Sequence, residues 1–270
     1  MRMRKALVGA AAVLLTIVVV LLAATGVDFG TSIYAEYRLS HTVRETAHLD
    51  FDPFVAIIAF PLIPQAMRHR YEDVEIKASA VERPVIGRAT LEATMHSVDL
   101  TDSSWLFRPN AKLPIGELES RIIIDSRHVG HYLGIRDLLV EAPAKDTNDA
   151  SGGTTKSGIS GNHGLVFSGT PVAAHFDKRV SVAVDLSMAG DDNTTLVFTP
   201  TDVLIGPNTA NERVPDDKRE AVLAAFAGKL PDQKLPFGVA PTTQGARGSD
   251  VIIEGITTGL TITLDGFNRA

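Results

Sequence analysis

The chain has 270 residues, of which 44% are hydrophobic, so it can bury a sizeable core as one large domain or two small ones. Its formal net charge is −6, and the part after residue 26 is more acidic still, because the N-terminus holds Arg2, Arg4 and Lys5. A nucleic-acid binder should carry a basic domain or stripe, and this chain has neither, so no nucleic-acid partner is expected. The lack of cysteine excludes disulfides, thiolate metal sites and cysteine nucleophiles.

The first 26 residues predict a membrane segment. Three positive charges precede residues 6–24, which carry no charge. Such a run fits the roughly 20 residues of a transmembrane helix better than the about 7–15 of a cleavable signal, although Ala24-Thr25-Gly26 also fits a signal-peptidase site. Residues 1–26 are therefore expected to be a transmembrane anchor or a signal peptide. Because the positive charges hold the N-terminus inside, residues 27–270 are predicted to form an exported domain.

The segment after the predicted span contains a helix and an apolar stretch. Residues 31–49 lack glycine and proline and predict a helix that Thr31 or Ser32 caps. The stretch FVAIIAFPLIP (54–64) is too short to cross a bilayer and predicts either a buried strand or a surface-seeking segment. One or two helical turns are expected over residues 65–70.

Alternation of apolar and polar residues then predicts long antiparallel strands. The segments so assigned are 72–82, 87–100, 119–126, 138–143, 163–171, 178–190, 194–206 and 249–264. In the first of them, Val74, Ile76, Ala78 and Ala80 are expected on the buried face.

Two further helices and one loop complete the pattern. A short helix is predicted over residues 126–135, and a more clearly marked one over 214–230, where Pro215 precedes two aspartates. The polar stretch 144–162 is rich in glycine, serine and threonine and predicts a surface loop. The sequence therefore predicts an α+β fold, in which few helices cover one face of an antiparallel sheet that must curl.

The chain matches none of the common catalytic motifs. It lacks G-x-S-x-G, H-E-x-x-H, a P-loop and G-x-G-x-x-G, so we predict a protein that is not an enzyme and has no cofactor. His128 and His131 are three residues apart, but two imidazoles at this spacing are more often surface residues than ligands, and no metal site is predicted.

Two segments resemble the LmeA family of actinobacterial, phospholipid-binding envelope proteins. They are AFPLIPQAMRHRYEDVEI (59–76) and KLPFGVAPT (234–242), the latter followed by the strand DVIIEGITTGLTITL. The family carries a Gly-hydrophobic-Pro-Phe-Leu turn, a short helix and an alternating strand. Here Ala59 replaces the glycine, and Leu62-Ile63 replaces Phe-Leu.

The resemblance implies a non-catalytic phospholipid-binding protein of the mycobacterial-type cell envelope, on the exported, periplasmic side of the cytoplasmic membrane. It also implies an anionic lipid of the phosphatidylinositol type, a role in mannan elongation of lipomannan, and contact with envelope glycosyltransferase machinery. The implied fold is similar to that of tubular lipid-binding proteins, with a long curved antiparallel sheet wrapped on helices.

A candidate lipid-binding mouth follows from the first of these segments. Its predicted apolar entrance consists of Phe54, Ile57, Ile58, Phe60, Leu62, Ile63 and Met67. Arg68 and Arg70 would pair with the lipid phosphate, since guanidinium groups bind phosphate oxygens in a two-pronged geometry. The alternative is that the apolar residues pack as ordinary core and that Arg70 forms a surface ion pair with Glu72 or Asp73.

A second function remains open at this point. The chain would then be a membrane-anchored interaction module that holds an envelope enzyme and has no lipid ligand. Strand edges and residues 145–162 would form its contact surfaces.

Overall fold

The structure, a computed structural model, describes residues 2–100, 108, 110–142 and 159–268. Its helices are α1 (Arg2–Thr46), α2 (Leu62–Arg68), α3 (Ser126–Leu133) and α4 (Asp216–Ala225). Its strands are β1 (Phe54–Ile58), β2 (Arg70–Arg83), β3 (Gly87–Asp99), β4 (Leu113–Ile124), β5 (Ile135–Glu141), β6 (Leu165–Pro171), β7 (Val180–Ala189), β8 (Thr195–Leu204), β9 (Gly228–Leu230), β10 (Thr243–Arg247) and β11 (Asp250–Ile262). The α+β prediction is confirmed.

The strands form two antiparallel sheets. The first has the order β1-β2-β3-β4-β11-β10, and the second has the order β5-β6-β7-β8-β9. One of the sheets curls into a half-barrel. The long last strand, β11, pairs with β4 on one side and with the edge strand β10 on the other, and β5 begins the second sheet.

Helix α1 is a single helix where two helical segments were predicted. It continues through Gly26, whose cost in a helix interior is only about 1 kcal/mol. Thr31 and Ser32 are therefore interior residues, and the prediction that either caps a helix is wrong. The Thr31 hydroxyl donates a 2.8 Å hydrogen bond to the Val27 carbonyl one turn earlier, as threonines inside helices do.

The surroundings of α1 change at Asp28. Residues 12–27 are all exposed, although they are apolar, and the helix is long and apolar enough to cross a membrane. Beyond Asp28, one face is buried against β1 and the C-terminal turn Leu264–Asn268. The buried apolar residues of this face are Ala35, Leu39, Val43 and Ala47. The helix therefore has an unpacked apolar half and a half that belongs to the domain.

Strand β2 departs from the predicted alternation at one point. Val74, Ile76 and Ala78 are buried as predicted, but Ala80 is exposed. The register with β3 shifts between Ala78 and Val81, and Ala80 adopts a φ of 58°. This bulge gives Val81 the buried place that was predicted for Ala80.

Two predicted segments differ from expectation. The helix predicted over 214–230 ends at Ala225, because Gly228–Leu230 forms β9 on the edge of the second sheet. The predicted loop 144–162 lies mostly outside the described residues. At its end, however, Ile159 is fully buried and the Ser160 amide donates a 2.9 Å hydrogen bond to Ala246, so these two residues belong to the packed structure.

Candidate functional site

The segment FPLIPQAMRHR forms α2 and its flanks, and a carboxylate of α1 fastens it in place. Asp28, which is only 4% exposed, accepts hydrogen bonds from the backbone amides of Leu62 (2.8 Å) and Ile63 (2.7 Å). The first amides of a helix lack partners inside it, and Pro61, which precedes α2, has no side-chain acceptor to offer. Asp28 therefore caps α2 from a different helix.

Gln65 holds the turn before α2 from the other side. Its side-chain amide donates to the Ala59 carbonyl at 2.5 Å, and its side-chain oxygen accepts from the Glu72 amide at 3.0 Å. Since Gln65 is buried, it joins the turn, α2 and the start of β2 into one unit. Ala59 has a φ of 92°, which glycine adopts far more readily than alanine.

Strand β1 follows α1 in the opposite direction. The Glu36 carboxylate accepts the Ile57 amide at 3.0 Å, and one turn later the Ser40 hydroxyl donates to the Pro53 carbonyl at 2.6 Å. Together with the Asp28 contacts, this order places α2 beside the unpacked apolar half of α1. The far end of α1 lies beside the end of β2, where His48 and Glu82 line the same cleft.

The seven predicted entrance residues fall into different environments. Ile57 and Leu62 are buried in the core, and Ile63 is half-buried. The other four are exposed, namely Phe54, Ile58, Phe60 and Met67. Because side chains alternate along β1, its exposed and buried residues point to opposite faces. The structure therefore brings four of the predicted residues to the surface and two into the packed interior.

The two predicted phosphate-binding arginines are both exposed. Arg70 Nε donates a 3.0 Å hydrogen bond to Asp99, its register partner on β3. Arg70 therefore forms a surface ion pair, as in the alternative given above, but with Asp99 rather than with Glu72 or Asp73. Arg68 Nε donates to the Pro64 carbonyl within α2 at 3.1 Å.

A cleft of about 440 Å³ lies between α2 and the adjoining ends of β2 and β3. Its lining residues are Gln65, Arg68, Arg70, Tyr71, Glu72, Ser97, Val98 and Asp99. The volume falls within the range of small-molecule sites, and both arginines reach its wall. Burial raises the pKa of the Tyr71 phenol, so this lining residue adds no charge to the cleft.

A second cleft, of about 240 Å³, lies at the other end of α1. Its acidic lining residues are Asp50, Asp52 and Glu82. Arg44, which is not a lining residue, pairs with Asp52 at 3.3 Å. An anionic ligand is disfavoured there, because it would approach several carboxylates.

Polar residues on the outer face of the first sheet form a separate group. His96 Nδ1 lies 2.5 Å from Asp73, and the ligand atoms of His96, Glu117 and Glu119 lie within 4.8 Å of one another. Arg121 pairs with Glu119 and neutralises part of this group. Of the histidines considered from the sequence, His128 instead contacts the Arg88 carbonyl at 2.9 Å.

The sequence did not identify two residues that build the site, Asp28 and Gln65. Asp28 had a detectable signal, since it is the first charged residue after the apolar run of α1. Gln65 had none, because nothing in the local pattern distinguishes it from an exposed glutamine of a short helix.

A family model described as LmeA-like phospholipid-binding matches residues 26–256 of the chain, which is more than half of it. No curated protein and no solved structure matches the chain. The matched range begins just before Asp28 and includes α2 and every residue of the 440 Å³ cleft.

Proposed function

Because the chain belongs to the LmeA-like phospholipid-binding family, we propose that it is a non-catalytic protein that takes a phospholipid at the α2 end of its domain. The observation that carries this proposal is the 440 Å³ cleft, which has Arg68 and Arg70 on its wall and the exposed Phe60 and Met67 on the same short segment. Such a site offers charged donors to a headgroup and apolar surface to acyl chains.

We further propose that the preferred lipid is anionic and of the phosphatidylinositol type. Arg68 is exposed and makes an intrahelical bond to a neutral carbonyl, so its charge is available to a phosphate. Arg70 would exchange or share its contact with Asp99, which costs little because exposed ion pairs contribute about 0–1 kcal/mol. A guanidinium–phosphate contact is charge-assisted and stronger than an ordinary hydrogen bond.

The proposed setting is the exported side of the cytoplasmic membrane. Residues 1–26 would anchor the chain, and residues 27–270 would form the lipid-binding domain in the cell envelope. There the protein would supply a phosphatidylinositol-type lipid to glycosyltransferase machinery that elongates the mannan of lipomannan. The family resemblance of residues 59–76 supports this role, and no catalytic function is assigned to the chain.

Lipid titration of two matched double variants tests the binding proposal. Arg68→Ala with Arg70→Ala removes the proposed phosphate contacts. Arg88→Ala with Arg127→Ala removes two exposed arginines that are also ion-paired but lie at the other end of β2. The full chain in detergent micelles is titrated with fluorescent phosphatidylinositol and with fluorescent phosphatidylcholine.

The first variant should bind phosphatidylinositol roughly ten- to a hundredfold more weakly, since a charge-assisted contact contributes about 1.5–3 kcal/mol. Its affinity for phosphatidylcholine, which also has a phosphate but no net charge, should fall less. The control variant should bind both lipids as the parent does. Equal affinities for all three proteins would contradict the proposed headgroup site.

Topology and cellular role need separate measurements. A reporter that is active only outside the cytoplasm should be active when fused after Ala270, and activity of a cytoplasmic reporter at that position would refute the orientation. In a mycobacterial-type host, deletion of the gene should shorten lipomannan on gels, and unchanged lipomannan would remove the proposed role in elongation.

A further inference from the structure

The position of Asp28 along α1 relates the domain to the membrane. Residues 6–27 carry no charge, and Asp28 is the first charged residue after Lys5. At about 1.5 Å per residue, this uncharged run is roughly 33 Å long, which is close to the roughly 30 Å of a bilayer's hydrocarbon core. Asp28 must therefore lie near the exported surface of a membrane that α1 crosses.

Helix α2 lies at the same level as Asp28. The two hydrogen bonds from Leu62 and Ile63 join the start of α2 directly to the Asp28 carboxylate. Because α1 continues past Asp28 as an unbroken helix, no hinge separates the apolar half from the half that packs on β1. The α2 end of the domain is therefore held at the membrane surface, and the far end of α1 is about 30 Å further out.

Large apolar side chains are exposed around this junction. We call them the tip surface, which consists of Phe29 and Ile33 on α1, Phe60 before α2, and Met67 on α2. Phe60 is 66% exposed and Met67 is 78% exposed. Large exposed apolar patches mark sites of interaction with a membrane or with another protein.

Polar groups near the tip surface fit the headgroup layer. Tyr34 and Tyr37 are exposed on α1 one to two turns beyond Phe29, and tyrosine is enriched where membrane meets water. Arg68, next to Met67, can extend its guanidinium towards lipid phosphates while its stem remains among apolar groups.

We propose that the tip surface inserts into the exported leaflet of the bilayer that α1 itself spans. The tip surface contacts this leaflet because the uncharged run of α1 ends where the tip surface begins. In addition, Asp28 holds α2 at the same depth. The 440 Å³ cleft then opens at the headgroup layer, so a phospholipid would reach it without crossing water. The inference rests on the anchored arrangement in the proposed function, but it does not require that the cleft binds lipid.

Single cysteines give a direct test, since the chain has no cysteine of its own. Phe60→Cys and Met67→Cys carry a nitroxide on the full chain, which is reconstituted in vesicles of phosphatidylcholine and phosphatidylinositol. Leu21→Cys, inside the apolar run, is the reference for the hydrocarbon core. Val85→Cys, an exposed apolar site just beyond the opposite end of β2, is the reference for water. Collision with oxygen, which partitions into lipid, is compared with collision with a water-soluble nickel chelate.

Labels at positions 60 and 67 should favour oxygen over nickel, with a ratio between the Leu21 and Val85 references and closer to Leu21. A ratio equal to that of Val85 would overturn the proposal. Shielding from both reagents together with spin coupling between copies would also overturn it, because a second copy of the chain would then cover the surface. Since labels can disturb a fold, hydrogen exchange on the unlabelled chain serves as a second measurement. The α2 amides should exchange more slowly in bilayers than in detergent.

Mass spectrometry of lipid bound to the same preparations separates this inference from the proposed function. Bound lipid with water-exposed labels would refute the inserted tip and leave lipid binding intact. Lipid-exposed labels without any bound lipid would refute lipid binding and leave the inserted tip intact.

Discussion

Arg121 on β4 and Glu254 on β11 face each other in register, and Arg121 Nε donates a 2.6 Å hydrogen bond to the Glu254 carboxylate. Glu254 is only 1% exposed, and Arg121 also pairs with Glu119. Burial opposes the charge of Arg121, but the hydrogen bonds and charges of Glu254 and Glu119 outweigh it and raise the pKa of the guanidinium. The Arg121 guanidinium therefore stays charged within the first sheet.

We expect Arg121→Met to lower the free energy of unfolding by about 3–5 kcal/mol, because it leaves the Glu254 carboxylate buried without its partner. Arg121→Met together with Glu254→Met should recover most of this loss, since apolar residues of similar size replace both charges. Arg127→Met is the control, because it removes an exposed arginine whose pair with Asp125 contributes about 0–1 kcal/mol. Urea unfolding in detergent micelles, followed by circular dichroism, measures all three. The prediction would be contradicted if Arg121→Met were as stable as Arg127→Met.

The environment of Glu92 should make the stability of the fold depend on pH in the acid range. Burial alone would raise the pKa of Glu92, but hydrogen bonds from Lys77 (2.7 Å) and Arg247 (3.1 Å) reverse the effect and lower it below the ordinary 4.5. A lowered pKa in the folded state stabilises the fold above the ordinary pKa, and this contribution is lost as pH falls through the folded value. Glu92→Gln should therefore reduce stability at neutral pH.

The same substitution should also flatten the acid limb of the stability curve below the ordinary pKa of 4.5, because one of the protonations that drives acid unfolding is gone. Glu117→Gln, which changes an exposed glutamate on the neighbouring strand, is the matched control. Parallel acid limbs for Glu92→Gln and the parent protein would show that Glu92 does not contribute in this way.

The period-two pattern was enough to predict most strands and their buried faces, because one face of each strand had to be apolar. It failed at Ala80, where a bulge shifts the register, since the pattern of residue types does not record an extra residue in one strand. The residues of the lipid-binding mouth could be predicted only in part, because the sequence pattern does not show contacts between distant segments. Alternation on β1 separates Ile57 from Ile58, and the Asp28 contact that positions α2 joins residues 34 positions apart in the chain.

Ile159, at the end of the predicted loop, should contribute more to the free energy of unfolding than the eleven residues 147–157 together. Ile159 is buried against Ile123 and Ile252 on the outer face of the first sheet, so Ile159→Ala should cost about 2–5 kcal/mol. Deletion of residues 147–157 should change stability by a fraction of that, since loop closure depends only logarithmically on length. Thermal unfolding compares the two proteins. A deletion that costs as much as Ile159→Ala would show that the segment itself is part of the packed fold.

Asp28→Ala should loosen α2 from α1. It removes both acceptors of the Leu62 and Ile63 amides, and the loss of a helix cap typically costs about 0.5–2 kcal/mol. Hydrogen exchange should accelerate at these two amides first. Asp28→Asn retains one acceptor oxygen and should have a smaller effect. Thr31→Ala, whose hydroxyl bonds within α1, should leave α2 exchange unchanged, and equal acceleration in that variant would contradict the role of Asp28.

Ala59 adopts a φ of 92°, which is strained for any residue with a Cβ atom. Ala59→Gly should relieve this strain, while the greater freedom of glycine in the unfolded chain offsets part of the gain. We expect a net increase in the free energy of unfolding of about 1 kcal/mol, or about 2–4 °C in Tm for a domain of this size.

Ala56→Gly provides the matched control for this prediction. Ala56 is on the same segment, within β1, where glycine is expected to cost about 0.5–1 kcal/mol because it has more freedom to lose on folding. Each substitution removes one methyl group, but only Ala59 has a strained backbone conformation. The two variants should therefore shift Tm in opposite directions. A decrease in both variants would mean that the Gln65 hydrogen bond to the Ala59 carbonyl, rather than the residue's own conformational preference, sets the geometry of the turn.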